Sequence, residues 1–198
     1  MIKITDDLLK LSKEAEIELK EEFKKVDELC EKNSLKVLNA FNNNRVSEIH
    51  FNSSTGYGYN DLGRDVIEDV FSEVLGGEDS IVRNQFISGT HALTVCFFSL
   101  LRPNDILLSI TGKPYDTLDK VIGIVPNNSS LKSYGVEYKQ VDLIDNDFDY
   151  EGIKSEIQNN KIKVITIQRS KGYSTRKSLC IEKLEKVIKF IKELDKDI

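Results

Sequence analysis

The sequence predicts an α/β fold, with an N-terminal helical arm followed by a mostly parallel sheet that carries helices on both faces. Three observations predict it. From residue 5 to about residue 43, apolar residues recur at three- and four-residue steps between charged ones, the period of an amphipathic helix. Two short apolar runs, Ile106-Leu107-Leu108-Ser109-Ile110 and Val164-Ile165-Thr166-Ile167, have the character of strands buried inside a parallel sheet. Strand-like and helix-like patterns then alternate along the rest of the chain, which is the signature of βα units.

The arm, residues 1–48, carries Leu8, Leu11, Ala15, Leu19, Phe23, Val26 and Cys30 on its periodic stripe, and Asn33-Ser34 is expected to divide it into two helices. Such a stripe serves burial within its own domain and packing on a partner subunit equally well. Residues 49–198 form the second region. Ile49, His50 and Phe51 read as a short strand running into Asn52-Ser53-Ser54-Thr55-Gly56-Tyr57-Gly58-Tyr59-Asn60-Asp61, a polar loop rich in Gly and Tyr. Leu62, Val66, Ile67, Val70, Phe71, Val74 and Leu75 mark an amphipathic helix, which Gly76-Gly77 ends by supplying positive φ after the last turn.

Ile81-Val82-Arg83 and Phe86-Ile87 read as a strand region leading to Ser88-Gly89-Thr90-His91. Residues 92–101 are apolar on nearly every side, so a buried helix is expected, ended by Arg102-Pro103-Asn104-Asp105. The strand at 106–110 leads to the loop Thr111-Gly112-Lys113-Pro114-Tyr115-Asp116-Thr117. Beyond it lie a helix end at 131–135, a strand at 136–141, a helix at 150–158, the strand at 164–167 and the loop Arg169-Ser170-Lys171-Gly172-Tyr173. A last helix presents Leu184, Val187, Ile188 and Ile191 on one face. A helix that follows a buried strand normally leads back into the sheet, and no strand follows here, so the large domain is expected to be truncated and the chain to be an N-terminal fragment.

With 198 residues, 39% of them apolar and 31% charged, the chain has the makeup of a soluble globular protein. A net charge of −5, with Lys and Arg interleaved among Asp and Glu, gives no footprint for nucleic acid. No apolar run approaches the ~18 residues needed to cross a bilayer, and Met1-Ile2-Lys3-Ile4-Thr5-Asp6-Asp7 lacks a secretory signal pattern, so a cytoplasmic location without membrane attachment is expected. Cys30, Cys96 and Cys180 are far apart and odd in number, with no CxxC, so neither a disulfide framework nor a zinc site is indicated; they are expected to be buried thiols, and no metal is expected.

The chemistry concentrates at Ser88-Gly89-Thr90-His91. A strand that ends in Ser-Gly-Thr ahead of a helix leaves backbone N–H groups at the positive end of the helix dipole, where a phosphate can accept them. Gly89 allows close approach, and the hydroxyls of Ser88 and Thr90 either bond the ligand or cap the helix. Neither GxGxxG nor GxxxxGK[ST] is present, so the phosphate belongs to something other than the usual nucleotides.

Several motifs in order resemble the pyridoxal 5'-phosphate (PLP)-dependent enzymes of fold type I, in particular the branch related to cystathionine and methionine γ-lyases, the aluminium-resistance or methionine γ-lyase family. The resemblance runs from about residue 50 to residue 179. Its carriers are Gly56-Tyr57-Gly58-Tyr59-Asn60-Asp61-Leu62-Gly63-Arg64-Asp65, Val82-Arg83, Ser88-Gly89-Thr90-His91-Ala92-Leu93, Leu101-Arg102-Pro103, Thr111-Gly112-Lys113-Pro114-Tyr115-Asp116-Thr117-Leu118 and Ile167-Gln168-Arg169-Ser170-Lys171-Gly172-Tyr173-Ser174.

The resemblance implies that residues 49–198 are part of a PLP-transferase large domain. It implies that Ser88, Gly89 and Thr90 hold the cofactor phosphate and that Tyr115 stacks on the pyridine ring. Tyr59 and Arg64 are similar to residues that reach the phosphate of a neighbouring subunit, with Tyr57 a competitor for that contact and a candidate near the substrate. Arg169 and Ser170 are placed near the substrate or the cofactor ring. His91 is expected to pack beside the cofactor rather than move protons, and His50 to be structural.

The Schiff-base lysine and the acid paired with the pyridinium nitrogen are expected beyond Ile198. Lys171 is read as a conservative charge where the family usually has Arg, and this chain alone is expected to be inactive. The full-length protein is expected to be a homodimer or homotetramer that removes the α-proton of a sulfur amino acid and eliminates its side chain. The alternatives are a noncatalytic phosphate-ligand or regulatory module and a PLP-dependent transaminase.

Overall fold

The computed structural model describes residues 4–56 and 61–198, so Tyr57 and Tyr59 lie outside the described residues. The chain divides into two compact units, residues 1–85 and 86–198.

The first unit opens with α1 (Asp6–Glu18) and α2 (Lys20–Asn43). The division falls at Leu19, not at Asn33-Ser34, which lie inside α2. Asn and Ser only lower helix propensity and are carried along by a hydrogen-bonded helix on either side. At Leu19 the backbone turns to φ −90, ψ 2, yet the Leu19 N–H still donates to Ala15 O and the Phe23 N–H to Leu19 O, both at 3.0 Å. The apolar stripe of this arm is open, because Leu8, Leu11, Leu19, Phe23 and Val26 are exposed and Ala40 is the buried residue of α2.

Residues 49–51 are not a strand. They belong to a 3-10 turn, Glu48–Phe51, in which the Ser47 N–H donates to His50 Nδ1 at 2.9 Å while the Ser47 side chain caps the His50 backbone. This reciprocal capping curls a segment whose composition alone suits an extended one. Next, α3 (Leu62–Leu75) starts at Asp61, whose carboxylate accepts from the Arg64 N–H at 3.2 Å, and stops at Gly76 with φ 70, the left-handed conformation glycine permits. The Ser54 hydroxyl and the Arg64 N–H hold the Asp61 carboxyl below the usual carboxylate range. Asn43 and Asn44 tie α2 to α3 by donating to the two Glu73 carboxylate oxygens at 2.6 and 2.9 Å.

The strand expected over 81–87 is absent as well. The Val82 N–H donates to Glu68 Oε1 at 2.8 Å, the Ser80 hydroxyl to Glu68 O at 2.7 Å, and Arg83 pairs with the same carboxylate. A side chain of α3 thus takes the bonds a neighbouring strand would otherwise supply.

The second unit is built on three strands, β1 (Ile106–Ser109), β2 (Glu137–Gln140) and β3 (Ile162–Thr166), in the order β2-β1-β3 with both pairings parallel. All four β1 residues are buried, as a continuous apolar run in the centre of a parallel sheet requires. Side chains alternate across the pleat. Leu107 joins Phe97, Leu101, Leu118, Ile122 and Leu131 beneath α4 (Gly89–Leu100) and the short α5 (Asp119–Ile122). Ile106, Leu108 and Ile110 join Ile153, Val187 and Ile191 beneath α6 (Tyr150–Asn159) and α7 (Ile181–Leu194). The sheet is therefore covered on both faces.

Helix α4 departs from expectation. Phe97 is its buried residue, while Leu93, Val95 and Leu100 are exposed, so the helix uses one side of its apolar surface and leaves the other open. Cys30, Cys96 and Cys180 are exposed free thiols rather than buried ones. Among the described residues no cluster of His, Cys, Asp or Glu could hold a metal ion, and no helix is long and apolar enough to cross a membrane.

Two outcomes follow from the packing. Leu107→Ala and Leu108→Ala each remove a fully buried side chain, from opposite faces of one strand, and each is expected to cost about 2–5 kcal/mol in urea unfolding. Burial pushes the Tyr138 phenol from its ordinary 10.0 up to about 12. The unfolded chain then ionises first as pH rises, so stability is lost across that window. Tyr138→Phe is expected to make the alkaline fall in the urea midpoint shallower.

Candidate functional site

The N-terminus of α4 has the geometry of an anion site. Ser88 is extended, at φ −163 and ψ 163; its Oγ accepts from the His91 N–H at 3.1 Å and its carbonyl from the Ala92 N–H at 3.1 Å. The two remaining first-turn donors, the N–H groups of Gly89 and Thr90, have no partner among the described residues. A Cβ placed on Gly89 would meet nothing within 4 Å, so the approach to these donors is open. The Ser88 hydroxyl is thus engaged as a cap, and the capacity to hold an anion resides in the backbone beside it.

The loop after β1 lies against this turn. The Thr90 hydroxyl donates to Thr117 Oγ1 at 2.8 Å, which brings the segment carrying Tyr115 beside the helix terminus. The Tyr115 N–H donates to Gln168 Oε1 at 2.7 Å, from the loop after β3. Tyr173 stacks on Tyr115 with ring centroids 6.0 Å apart and 27° between planes, and its side chain holds the Tyr115 phenol above the ordinary tyrosine range. Gly172, at φ 56, lies under the same ring; a Cβ there would come within 3.0 Å of two Tyr115 ring carbons. Across the base of the loop Lys113 Nζ meets Asp119 Oδ2 at 2.7 Å, with Asp119 buried.

The topology explains this meeting. From the central strand the chain passes to α5 on one face of the sheet, and from β3 it passes to α7 on the other. Neighbouring strands whose connections leave to opposite faces open a crevice at their carboxyl ends, the preferred ligand position in parallel α/β sheets. Thr111 and Gln168 stand on its two sides, with the Gln168 N–H donating to Thr111 Oγ1 at 3.1 Å.

The second unit therefore brings together Ser88, Gly89, Thr90, Tyr115 and, through Gln168, Ser170. The Ser170 carbonyl accepts from Gln168 Nε2 at 2.9 Å, and its hydroxyl accepts from the Gly172 N–H at 3.3 Å. Arg169 directs its Nε to Leu179 O at 3.1 Å, and Lys171 is exposed. The His91 ring is tilted against Phe86 at 5.8 Å, and its Nδ1 is buried without a hydrogen-bond partner among the described residues. Arg64 belongs to the first unit, where its N–H caps α3 on Asp61 and its Nε meets Asp65 Oδ1 at 3.3 Å. His50 is engaged with Ser47 in the 3-10 turn.

Sequence reasoning singled out none of Thr117, Gln168, Tyr173 and Arg176. All but Arg176 fall inside the motifs quoted above, which was the available signal, but no local pattern shows that Thr117 meets Thr90 across 27 residues or that Gln168 meets Tyr115 across 53.

The comparisons with known proteins agree with one another. The family described as Methionine gamma-lyase matches residues 8–198. Protein YnbB of Bacillus subtilis (strain 168) is 44% identical over 194 residues, covering 96% of this chain and 46% of that protein. A proposed cystathionine beta-lyase involved in aluminium resistance from Clostridium acetobutylicum superposes with a TM-score of 0.93 at 45% identity, covering 98% of this chain and 47% of that one. A carbon-sulfur lyase involved in aluminium resistance from Clostridium novyi NT does so with a TM-score of 0.91 at 43% identity, again covering 98% and 47%. The chain spans about half the length of the relatives it matches. With a family match over nearly its whole length, and a mixed α/β fold shared with these structures, the chain belongs to the methionine gamma-lyase family.

Proposed function

We propose that this chain forms the phosphate- and ring-holding part of a PLP-dependent carbon–sulfur lyase. The observation that carries the reading is the pair of free N–H donors of Gly89 and Thr90 at the start of α4, next to the loop that bears Tyr115. These residues fit a phosphorylated aromatic cofactor. Two backbone donors at a helix N-terminus suit a phosphate dianion, the open space over Gly89 admits it, and a tyrosine ring held by its main chain offers a flat face nearby.

When bound, PLP supplies the electron sink that makes the α-proton of an amino acid labile. The part of this chain is to hold and orient. The N–H groups of Gly89 and Thr90 bind the phosphate, with the Thr117 hydroxyl, which accepts from the Thr90 hydroxyl, beside them. Tyr115 sets the plane of the bound ring, and Arg169 and Ser170 border the substrate side of the crevice. The lysine and the acid that complete the chemistry are assigned to none of residues 1–198, and the chain spans about half the length of its relatives. The names of the related structures, which include a carbon-sulfur lyase, favour elimination from a sulfur amino acid over transamination.

The exposed stripe of α1 and α2 supports a homodimer or homotetramer in which the arm packs on another subunit. Tyr59 and Arg64 remain assigned to the neighbouring subunit's phosphate.

In the full-length protein, Thr117→Val is expected to weaken PLP binding about ten-fold in a spectroscopic titration, because it removes a hydroxyl at the phosphate while preserving side-chain volume. Unchanged affinity would remove Thr117 from the site. The same full-length protein is expected to release a keto acid from at least one of cysteine, methionine and cystathionine, and release from none of them would exclude the lyase reading.

A further inference from the structure

Gln168 makes more contacts across the crevice than any role assigned to it so far requires. Its Oε1 accepts from the Tyr115 N–H at 2.7 Å, while its Nε2 donates to Ser170 O at 2.9 Å. Its own main chain is fixed at both ends. The N–H donates to Thr111 Oγ1 at 3.1 Å, and the carbonyl accepts from Arg176 Nη2 at 3.0 Å. The same Arg176 nitrogen also reaches the carbonyls of Arg169 and Ser170, at 3.3 and 2.9 Å, so one guanidinium group gathers three successive carbonyls around the Gln168 side chain.

The residue type matters. Tyr115 presents a donor and Ser170 an acceptor, so the group between them must accept at one atom and donate at the other. A carboxamide does both; a carboxylate is acceptor-only. Asparagine, one methylene shorter from the same backbone position, cannot span the two. What is held is consequential as well, because a shift of the main chain at 115 would change the spacing of the Tyr115 ring to Gly172 and Tyr173 and of Thr117 to Thr90.

We propose that Gln168 is the positioning residue of this site, its carboxamide locking the Tyr115 main chain to the loop after β3 so that the ring-holding and anion-holding ends keep one spacing. The locking is a property of this chain alone; its use in holding PLP rests on the function proposed above.

The test uses the full-length protein, with amide hydrogen exchange and tyrosine titration followed by NMR and PLP binding followed by fluorescence. Gln168→Ala is expected to speed exchange at the Tyr115 amide about ten-fold or more. It is also expected to bring the Tyr115 phenol down toward the ordinary tyrosine range as the Tyr173 contact loosens, and to weaken PLP binding about ten-fold. Gln168→Glu keeps an acceptor for the Tyr115 N–H but faces the Ser170 carbonyl with a carboxylate. It is expected to leave exchange at the Tyr115 amide within a few-fold of the parent.

Unchanged exchange and titration in Gln168→Ala would overturn the positioning role whatever binds in the crevice. Faster exchange with unaltered PLP affinity would sustain the positioning role and count against the cofactor reading instead. Should Gln168→Ala not fold, Gln168→Asn carries the same expectations, since it retains the amide and loses only reach; parent-like exchange at Tyr115 in that variant overturns the proposal.

Discussion

The second unit depends on the burial of β1 from both sides. Its four residues are enclosed, and the pleat sends Leu107 to one layer and Leu108 to the other, so a single strand supplies both cores. The chain leaves the carboxyl end of this strand toward α5 over one face and that of β3 toward α7 over the opposite face. The crevice that receives Tyr115 and Gln168 is thus a consequence of how the apolar core is closed, and needs no separate device to open it.

At that crevice the polar groups are satisfied unevenly, and the unevenness carries the functional reading. Ser88, Thr111, Gln168 and Arg176 spend their hydrogen bonds on neighbouring backbone and fix the loops. The N–H groups of Gly89 and Thr90 are left over at the positive end of a helix, facing open space. Rigid surroundings with a few free, convergent donors are what a pre-organised anion site requires, since no reorganisation is then needed when the ligand arrives.

The exposed apolar surfaces belong to the same account. Helix α4 reads as apolar on nearly every side, and the sheet covers only the side marked by Phe97, leaving Leu93, Val95 and Leu100 open. The stripe of the N-terminal arm is open in the same way at Leu8, Leu19 and Phe23. Periodicity states that a face is apolar; it does not state what covers it. The expectation of a buried helix and buried cysteines therefore failed for one reason, that burial is a property of neighbours rather than of the residue.

The sequence by itself determined the order and type of most elements. The apolar runs gave β1 and β3, the three- and four-residue steps gave the helical arm, though not its division, with α3 and α7, Gly76 gave the helix stop, and Ser88-Gly89-Thr90 gave the capped turn and its spare donors. Each of these rests on bonds between residues a few positions apart, which local pattern encodes. Tertiary structure decided the rest. Ser47 and His50 curl a segment that reads as a strand, Glu68 takes the bonds of another, and Thr90 with Thr117 and Tyr115 with Gln168 join across 27 and 53 residues. Such pairings are settled only when the core closes and the loops at the strand ends are brought together, so no short stretch of the chain contains them.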